Sequence, residues 1–247
     1  LPYNEKVWAT PPELMAYRWI GERVPVVDVA AVLRNVVLGE DQVGWGPNST
    51  FRYPLRGGTG RLYEEIAKPL SDRIELDCPV VAIDPEARSV STAEQLSWRY
   101  DALLSTMPLD ELVGACAGAP ATVRAAAGRL SWSGTHVVGV GLDRPAATTR
   151  NWVYFPEPDV PFYRVTYLSN YSPHITPAAG QTLLLTETST SGHRPQDGAT
   201  IVGRVIDGLV GAAVRKASRE GLRGIDLTGA MLDEAATETG HQAAPRQ

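Results

Sequence analysis

The chain has 247 residues, long enough to bury one large core or two small ones. A content of 43% hydrophobic and 21% charged residues excludes a disordered or fibrous protein. The formal net charge of -5 excludes a general nucleic-acid-binding surface, though not one small basic pocket for a phosphate.

Pro11-Pro12-Glu13 predicts a short helix through Leu14, Ala16 and Trp19, proline being tolerated at the first helical positions. Val29 to Val37 has helical spacing, and Val29, Val32, Leu33, Val36 and Val37 are expected to face a core. The stretch GEDQVGWGPNSTFRYPLRGG (39–58) predicts loop for most of its length. Thr59 is a candidate cap for a helix from about Gly60 to Leu70, with Glu64 and Glu65 in its early turns and Lys68 near its end. Arg73 to Ile83 reads as one or two strands and Tyr100 to Thr106 as another. Leu109 to Val113 and the alanine-rich Ala121 to Leu130 read as helices.

The second half changes character. THVVGVGL (135–142), NWVYFPE (151–157), FYRVTYLSN (162–170) and QTLLLTE (181–187) are short, β-branched or aromatic, and separated by turn residues. Their links are too short or irregular for repeated helical crossovers, so antiparallel pairing is expected. Thr190 to Ala199 is a polar break, Val202 to Val214 resumes a helical pattern, and Leu227 to Ala236 predicts a further helix before a frayed GHQAAPRQ end. The fold class expected is α+β, an antiparallel sheet with flanking helices.

Several chemistries find little support. Cys78 and Cys116 form no CxxC pair, which points to a reducing, cytoplasmic compartment, and the four histidines show no metal-ligand spacing, so no metal is expected. No apolar run is long enough to span a bilayer, and no basic stretch with interleaved aromatics suits single-stranded nucleic acid. The glycines in RGGTGRLYEE (56–65) and GVGLDR (139–144) miss the dinucleotide-binding G-x-G-x-x-G spacing. The first set can bring backbone N–H groups near an anion or a ring edge. A tight turn ahead of a helix explains those glycines equally well.

Arginines and aromatics are more informative. A nucleoside diphosphate is held by planar guanidinium groups on its phosphates and by flat rings or amides around its base. Arg23 follows a predicted helix. Arg164 lies in an aromatic strand, where alternation places it on the face of Phe162 and Thr166; spacing alone fits a surface arginine stacked on a ring equally. Trp152 and Tyr154 share a strand face, either as a stacking wall or as a face packed on a helix layer. Asn4 and Asn48 carry amides able to read a pyrimidine or a sugar, though turn capping is the ordinary use of Asn48 in GPNST.

Taken together, YNEKVW (3–8), WIGERV (19–24), NVVLG with GWGPNSTFRYPLRGGTG (35–60), LLSTMPLD (103–110), THVVGVGL and WVYFPEPDVPFYRVTYLSNYSP (152–173) resemble the eukaryotic-type UDP-galactopyranose mutases, within the wider amine-oxidase-like flavoprotein group. The resemblance covers Tyr3 to about Glu187. It implies interconversion of UDP-galactopyranose and UDP-galactofuranose with reduced FAD, whose N5 attacks the anomeric carbon as UDP leaves, and NADPH or NADH as reductant. By the same resemblance Arg23 and Arg164 would clamp the diphosphate. Trp152, Tyr154 and Tyr171 would line the nucleotide-sugar channel, and Asn4, Trp8 and Asn48 would contact the nucleotide or sugar. Gly57, Gly58, Thr59 and Gly60 would lie near the flavin.

The organisation implied is the end of a helical substrate domain over 1–50, partial elements of an FAD-binding α/β domain over 51–118, an antiparallel-sheet substrate-binding domain over 119–190, and a helical segment over 191–247. The opening LPYNEKVW, without a preceding strand and glycine fingerprint, reads as the interior of a longer protein. A partner chain or further segments are therefore expected to complete the FAD domain, with no activity from these residues alone. The alternatives are a flavin-dependent amine oxidase-like oxidoreductase and a non-catalytic UDP-sugar-binding subunit.

Overall fold

The computed structural model describes residues 2–16, 18, 28–39, 50–146 and 148–219. In chain order the elements are α1 (Pro2–Trp8), α2 (Val29–Leu38), α3 (Gly58–Ala67), β1 (Val80–Asp84), β2 (Ser89–Thr92), β3 (Ser97–Arg99), α4 (Leu109–Ala115) and α5 (Ala121–Ala127). Then come β4 (Gly134–Leu142), β5 (Trp152–Tyr154), β6 (Arg164–Tyr167), β7 (Thr182–Thr190) and α6 (Ile201–Arg219). The α+β expectation holds, with antiparallel sheets and helices. The chain divides into two compact units, one of residues 1–63 and 133–247, the other of 64–132.

The larger unit is built on a four-stranded antiparallel sheet in the order β4-β7-β6-β5. Register aligns Val137, Glu187, Arg164 and Tyr154 in one cross-strand row, and Gly139, Leu185, Thr166 and Trp152 in the next. Side chains alternate faces along each strand, so both rows lie on the same face. The opposite face carries Val138, Val165 and Leu184, which pack with Val160, Phe162 and with Ile201 and Val205 of α6 into the core. Gly208 lets α6 come close: a Cβ there would stand 3.0 Å from Pro161 and 3.1 Å from Phe162. Phe162 thus belongs to the core rather than to the face of Arg164. Regular alternation begins only at Arg164, and the chain before it turns the ring inward.

The smaller unit holds the antiparallel meander β1-β2-β3, with α4 and α5 beside it. The β1–β2 turn forms because Asp84 Oδ1 accepts from the N–H groups of Glu86 (3.0 Å) and Ala87 (2.8 Å).

Several sequence expectations are corrected. The helix begun by Pro11-Pro12 is a single 3-10 turn, Pro12–Leu14, followed by an extended Met15. The helix at Val29–Leu38 forms, capped by Asp28, which accepts from Ala30 N at 2.9 Å, and closed by a left-handed Gly39. Its Val29, Val36 and Val37 are nevertheless 68%, 75% and 81% exposed, so among the described residues no core covers them. Thr59 is not a cap, because α3 already begins at Gly58; the helix gives way to a 3-10 turn over Lys68–Arg73. Of the stretch from Arg73 to Ile83, expected to form one or two strands, only the part within Val80–Asp84 is strand. Tyr100 to Thr106 is irregular; β1 pairs with β2 instead, and β2 with β3. The helix expected over Leu227 to Ala236 lies outside the described residues.

The two-faced sheet predicts unequal responses to truncation. Phe162→Ala should cost about 3–5 kcal/mol in chemical denaturation. Val137→Ala, on the other face and 53% exposed, should cost about 0.5 kcal/mol or less.

Candidate functional site

The sheet face away from α6 gathers a cluster of charged and aromatic groups, among them Arg164, Glu187, Trp152 and Tyr154. At its centre Arg164 donates from Nε to Glu187 Oε2 and from Nη2 to Glu187 Oε1, each at 2.6 Å. The two residues are direct cross-strand partners. Burial by itself would lower the Arg164 pKa, but the hydrogen bonds and charge of Glu187, with the Tyr154 phenol, raise it, so the guanidinium stays charged. Its carbon lies 6.0 Å from the Trp152 ring centroid, within cation–π range.

Aromatic rings continue the face. Phe51 lies 5.4 Å from Trp152 and 4.8 Å from Tyr171, and Tyr53 meets Tyr171 edge-on at 5.1 Å. Ser172, buried, donates its hydroxyl to the Leu55 carbonyl and so ties the 50–57 segment to the sheet. On the other side, Tyr3 of α1 meets Tyr154 edge-on at 6.1 Å. Burial, then the neighbouring Tyr154, pushes the Tyr3 phenol well above its ordinary pKa; burial likewise raises Tyr163 and Tyr171. These rings are neutral donors and acceptors at ordinary pH, and Arg164 and Glu187 carry the charge.

The α1 helix is pinned to the strand ends by polar contacts. Lys6, 5% exposed, donates to the carbonyls of Phe155 (2.9 Å) and Glu157 (2.7 Å). Its own carbonyl accepts from Ser189 Oγ and, at 3.0 Å, from Arg194 Nη1. Just past the helix Ala9 adopts a positive φ of 52°, and its carbonyl accepts from Ser191. This anchoring fixes Tyr3 against Tyr154, while Asn4 and Trp8 lie on the exposed side of α1, four residues apart and therefore on one helical face.

The residues singled out from sequence thus divide. Trp152, Tyr154, Arg164 and Tyr171 come together on one face. Asn4 and Trp8 are exposed on the helix docked at its margin. Gly57, Gly58, Thr59 and Gly60 form the turn into α3. Gly57 and Gly58 have φ of 73° and 64°. A Cβ on Gly57 would sit 2.5 Å from the Arg61 Cβ, and one on Gly58 would sit 3.0 Å from the Tyr53 hydroxyl. The turn's own geometry therefore already demands glycine at 57 and 58. Arg23 and Asn48 lie outside the described residues.

Sequence reading did not single out Glu187, Tyr3, Phe51, Tyr53 or Tyr163. For Glu187 a signal was present. QTLLLTE and FYRVTY each carry one charge in an otherwise uncharged strand, of opposite sign, and such charges are best satisfied by each other. Nothing local marks Phe51 and Tyr53, whose place depends on a contact to residue 172.

Lys6 gives the site a pH signature. Burial first, and Arg194 second, lower its pKa from 10.5 to about 8. The neutral amine still has two hydrogens for its two carbonyl acceptors. Between those pH values the unfolded chain keeps a proton that the folded chain has released, so stability rises with pH. Relative to Lys6→Met, the wild-type chain should gain up to about 2 kcal/mol between pH 8 and about 9.5, read from denaturation midpoints.

The sequence profile of the flavin-containing amine oxidoreductase family matches residues 16–209. Among solved structures, the crystal structure of reduced UDP-galactopyranose mutase is 37% identical, with a TM-score of 0.78 over 86% of this chain. The match spans 48% of that protein, so this chain corresponds to about half its length. A Pyrococcus furiosus protein is 16% identical over 68% of this chain and 39% of its own, with a TM-score of 0.45, too distant to carry an argument. The profile match, over more than three quarters of the residues, shows that the chain belongs to the flavin-containing amine oxidoreductase family, and over 86% of its length it is similar to UDP-galactopyranose mutase.

Proposed function

We propose that this chain is the nucleotide-sugar-binding portion of a UDP-galactopyranose mutase, interconverting UDP-galactopyranose and UDP-galactofuranose with reduced FAD. The observation that carries the reading is the 37% identity to reduced UDP-galactopyranose mutase over 86% of the chain. The guanidinium, the more accessible member of its ion pair, carries only donors, which suit the acceptor oxygens of a diphosphate and offer nothing to a protonated amine. On donor–acceptor complementarity, then, the mutase reading is preferred to an amine oxidase.

In this reading Arg164 takes the diphosphate, with Arg23 as the second cation. Trp152, Tyr154 and Tyr171 wall the channel, while Asn4, Trp8 and Asn48 read the nucleotide or sugar. The guanidinium offsets charge that builds on the departing UDP oxygens, and the rings exclude water from it. The Gly57–Gly60 turn fits a flavin edge, since it offers backbone N–H groups at a helix start and no side-chain bulk at Gly57, Gly58 and Gly60. Among the described residues no strand–glycine–helix unit suits the dinucleotide part of FAD, which further segments or a partner chain supply. When bound, reduced FAD supplies the nucleophile that this chain's residues do not. Reduction by NADPH or NADH and a reducing, cytoplasmic setting complete the reading. The setting rests on Cys78 and Cys116 being free thiols, and no described helix is long and apolar enough to cross a membrane.

Calorimetric titration of UDP into the chain tests this. Binding should be saturable, and Arg164→Ala should weaken it about 10- to 100-fold, the loss of charge-assisted hydrogen bonds. Equal affinity in the variant overturns the assignment. Binding of an alkylamine but not of UDP reinstates the amine oxidase.

A further inference from the structure

Glu187 holds Arg164 from one side. Its two oxygens accept from Nε and Nη2, the side-on bidentate arrangement, and Nη1 takes no part in the pair. The carboxylate is the more buried member, 15% exposed against 31% for Arg164, so the guanidinium is the accessible one. Glu187 is itself held: its carbonyl accepts from the Tyr163 N–H at 2.9 Å, and β7 has paired strands on both sides. A guanidinium has five N–H groups; this pair commits two, and even with the Tyr154 phenol against the group, others are left for a ligand. An oxyanion approaching end-on, across Nη1 and the second hydrogen of Nη2, needs none of the bonds that Glu187 makes. Were Glu187 a competitor, it would have to occupy that end-on edge, and it does not.

We propose that Glu187 is a positioning residue for diphosphate recognition: it grips the Nε–Nη2 edge of Arg164 and so presents the remaining edge to the ligand's phosphates. The proposal rests on the UDP reading of this face. An arginine on a free stem samples many rotamers and must be ordered when it binds. One already clamped by a carboxylate, with Tyr154 against the same group, is ordered beforehand.

The test is calorimetry on the 247-residue chain with UDP and with uridine, which lacks the phosphates. Glu187→Gln should weaken UDP roughly three- to tenfold, the cost of ordering one flexible side chain on binding, and leave uridine unchanged. In an Arg164→Ala background the same substitution should add nothing for either ligand, a coupling that mere structural damage would not produce. If the wild-type chain binds UDP, Arg164→Ala loses it and Glu187→Gln binds as tightly or more tightly, the positioning role is overturned while the Arg164 assignment stands. If the wild-type chain does not bind UDP, both fall. Equal losses for UDP and uridine also overturn the role, since they report damage to the whole face. Should Glu187→Gln not fold by circular dichroism, Glu187→Asp, which keeps the charge and withdraws the carboxylate by one methylene, carries the same expectation and the same overturning results.

Discussion

Strand β7 runs between β4 and β6, and its backbone is paired with β4 along its whole length and with β6 over Leu184–Glu187. That double pairing constrains the larger unit more than any single side-chain contact. A strand with one free edge can shift register at moderate cost, whereas β7 would have to break two ladders at once. A slip by one residue would also turn Glu187 toward the apolar layer under α6 and bring Leu184 out. The cost of burying an unpaired carboxylate reinforces the register that the ladders set. The position of Arg164, its ion pair and the ring of Tyr154 beside it all follow from this registration.

The two faces of the sheet serve different ends. Val138, Val165 and Leu184 with Ile201 and Val205 of α6 provide the stabilising burial, since apolar area removed from water contributes without geometric precision. The Arg164–Glu187 pair contributes little net stability, because desolvation offsets much of the attraction between partly buried charges. Its value lies in direction: a bidentate pair fixes the plane of the guanidinium. The docking of α1 repeats the pattern in milder form, with a buried lysine whose hydrogens meet two carbonyls and whose own carbonyl is satisfied by Ser189 and Arg194.

Charge balance limits what the face can hold by itself. Arg164 and Glu187 sum to zero, and burial keeps the surrounding phenols protonated. A diphosphate placed there brings negative charge that the pair does not neutralise. The UDP reading therefore requires a second cation, and Arg23, which lies outside the described residues, is the one assigned to it on sequence resemblance. The glycine turn at 57–60 is different in kind: its glycines at 57 and 58 are demanded by the chain's own geometry, whatever lies beyond them.

Helical spacing over Val202 to Val214 made α6 readable from sequence. Strand composition and turn chemistry made β4, β6 and β7 readable, because those strands are β-branched or aromatic, bounded by turns, and too closely linked for helical crossovers. The face shared by Trp152, Tyr154 and Arg164 was legible for the same reason. The α2 helix was legible as a helix but not as an exposed one: periodicity reports a possible face, and only the tertiary fold decides what covers it. The strands read at Arg73–Ile83 and Tyr100–Thr106 largely dissolved into turn and irregular chain, since short apolar runs do not distinguish a strand from a loop. The fold also decided the inward turn of Phe162, which precedes regular alternation, and the convergence of Tyr3, Phe51, Tyr53 and Tyr171 from distant segments. Local sequence therefore determined which residue types could share a strand face. The tertiary structure alone decided that Glu187 would grip one edge of Arg164, because that contact joins strands 23 residues apart and depends on register, which no single strand encodes.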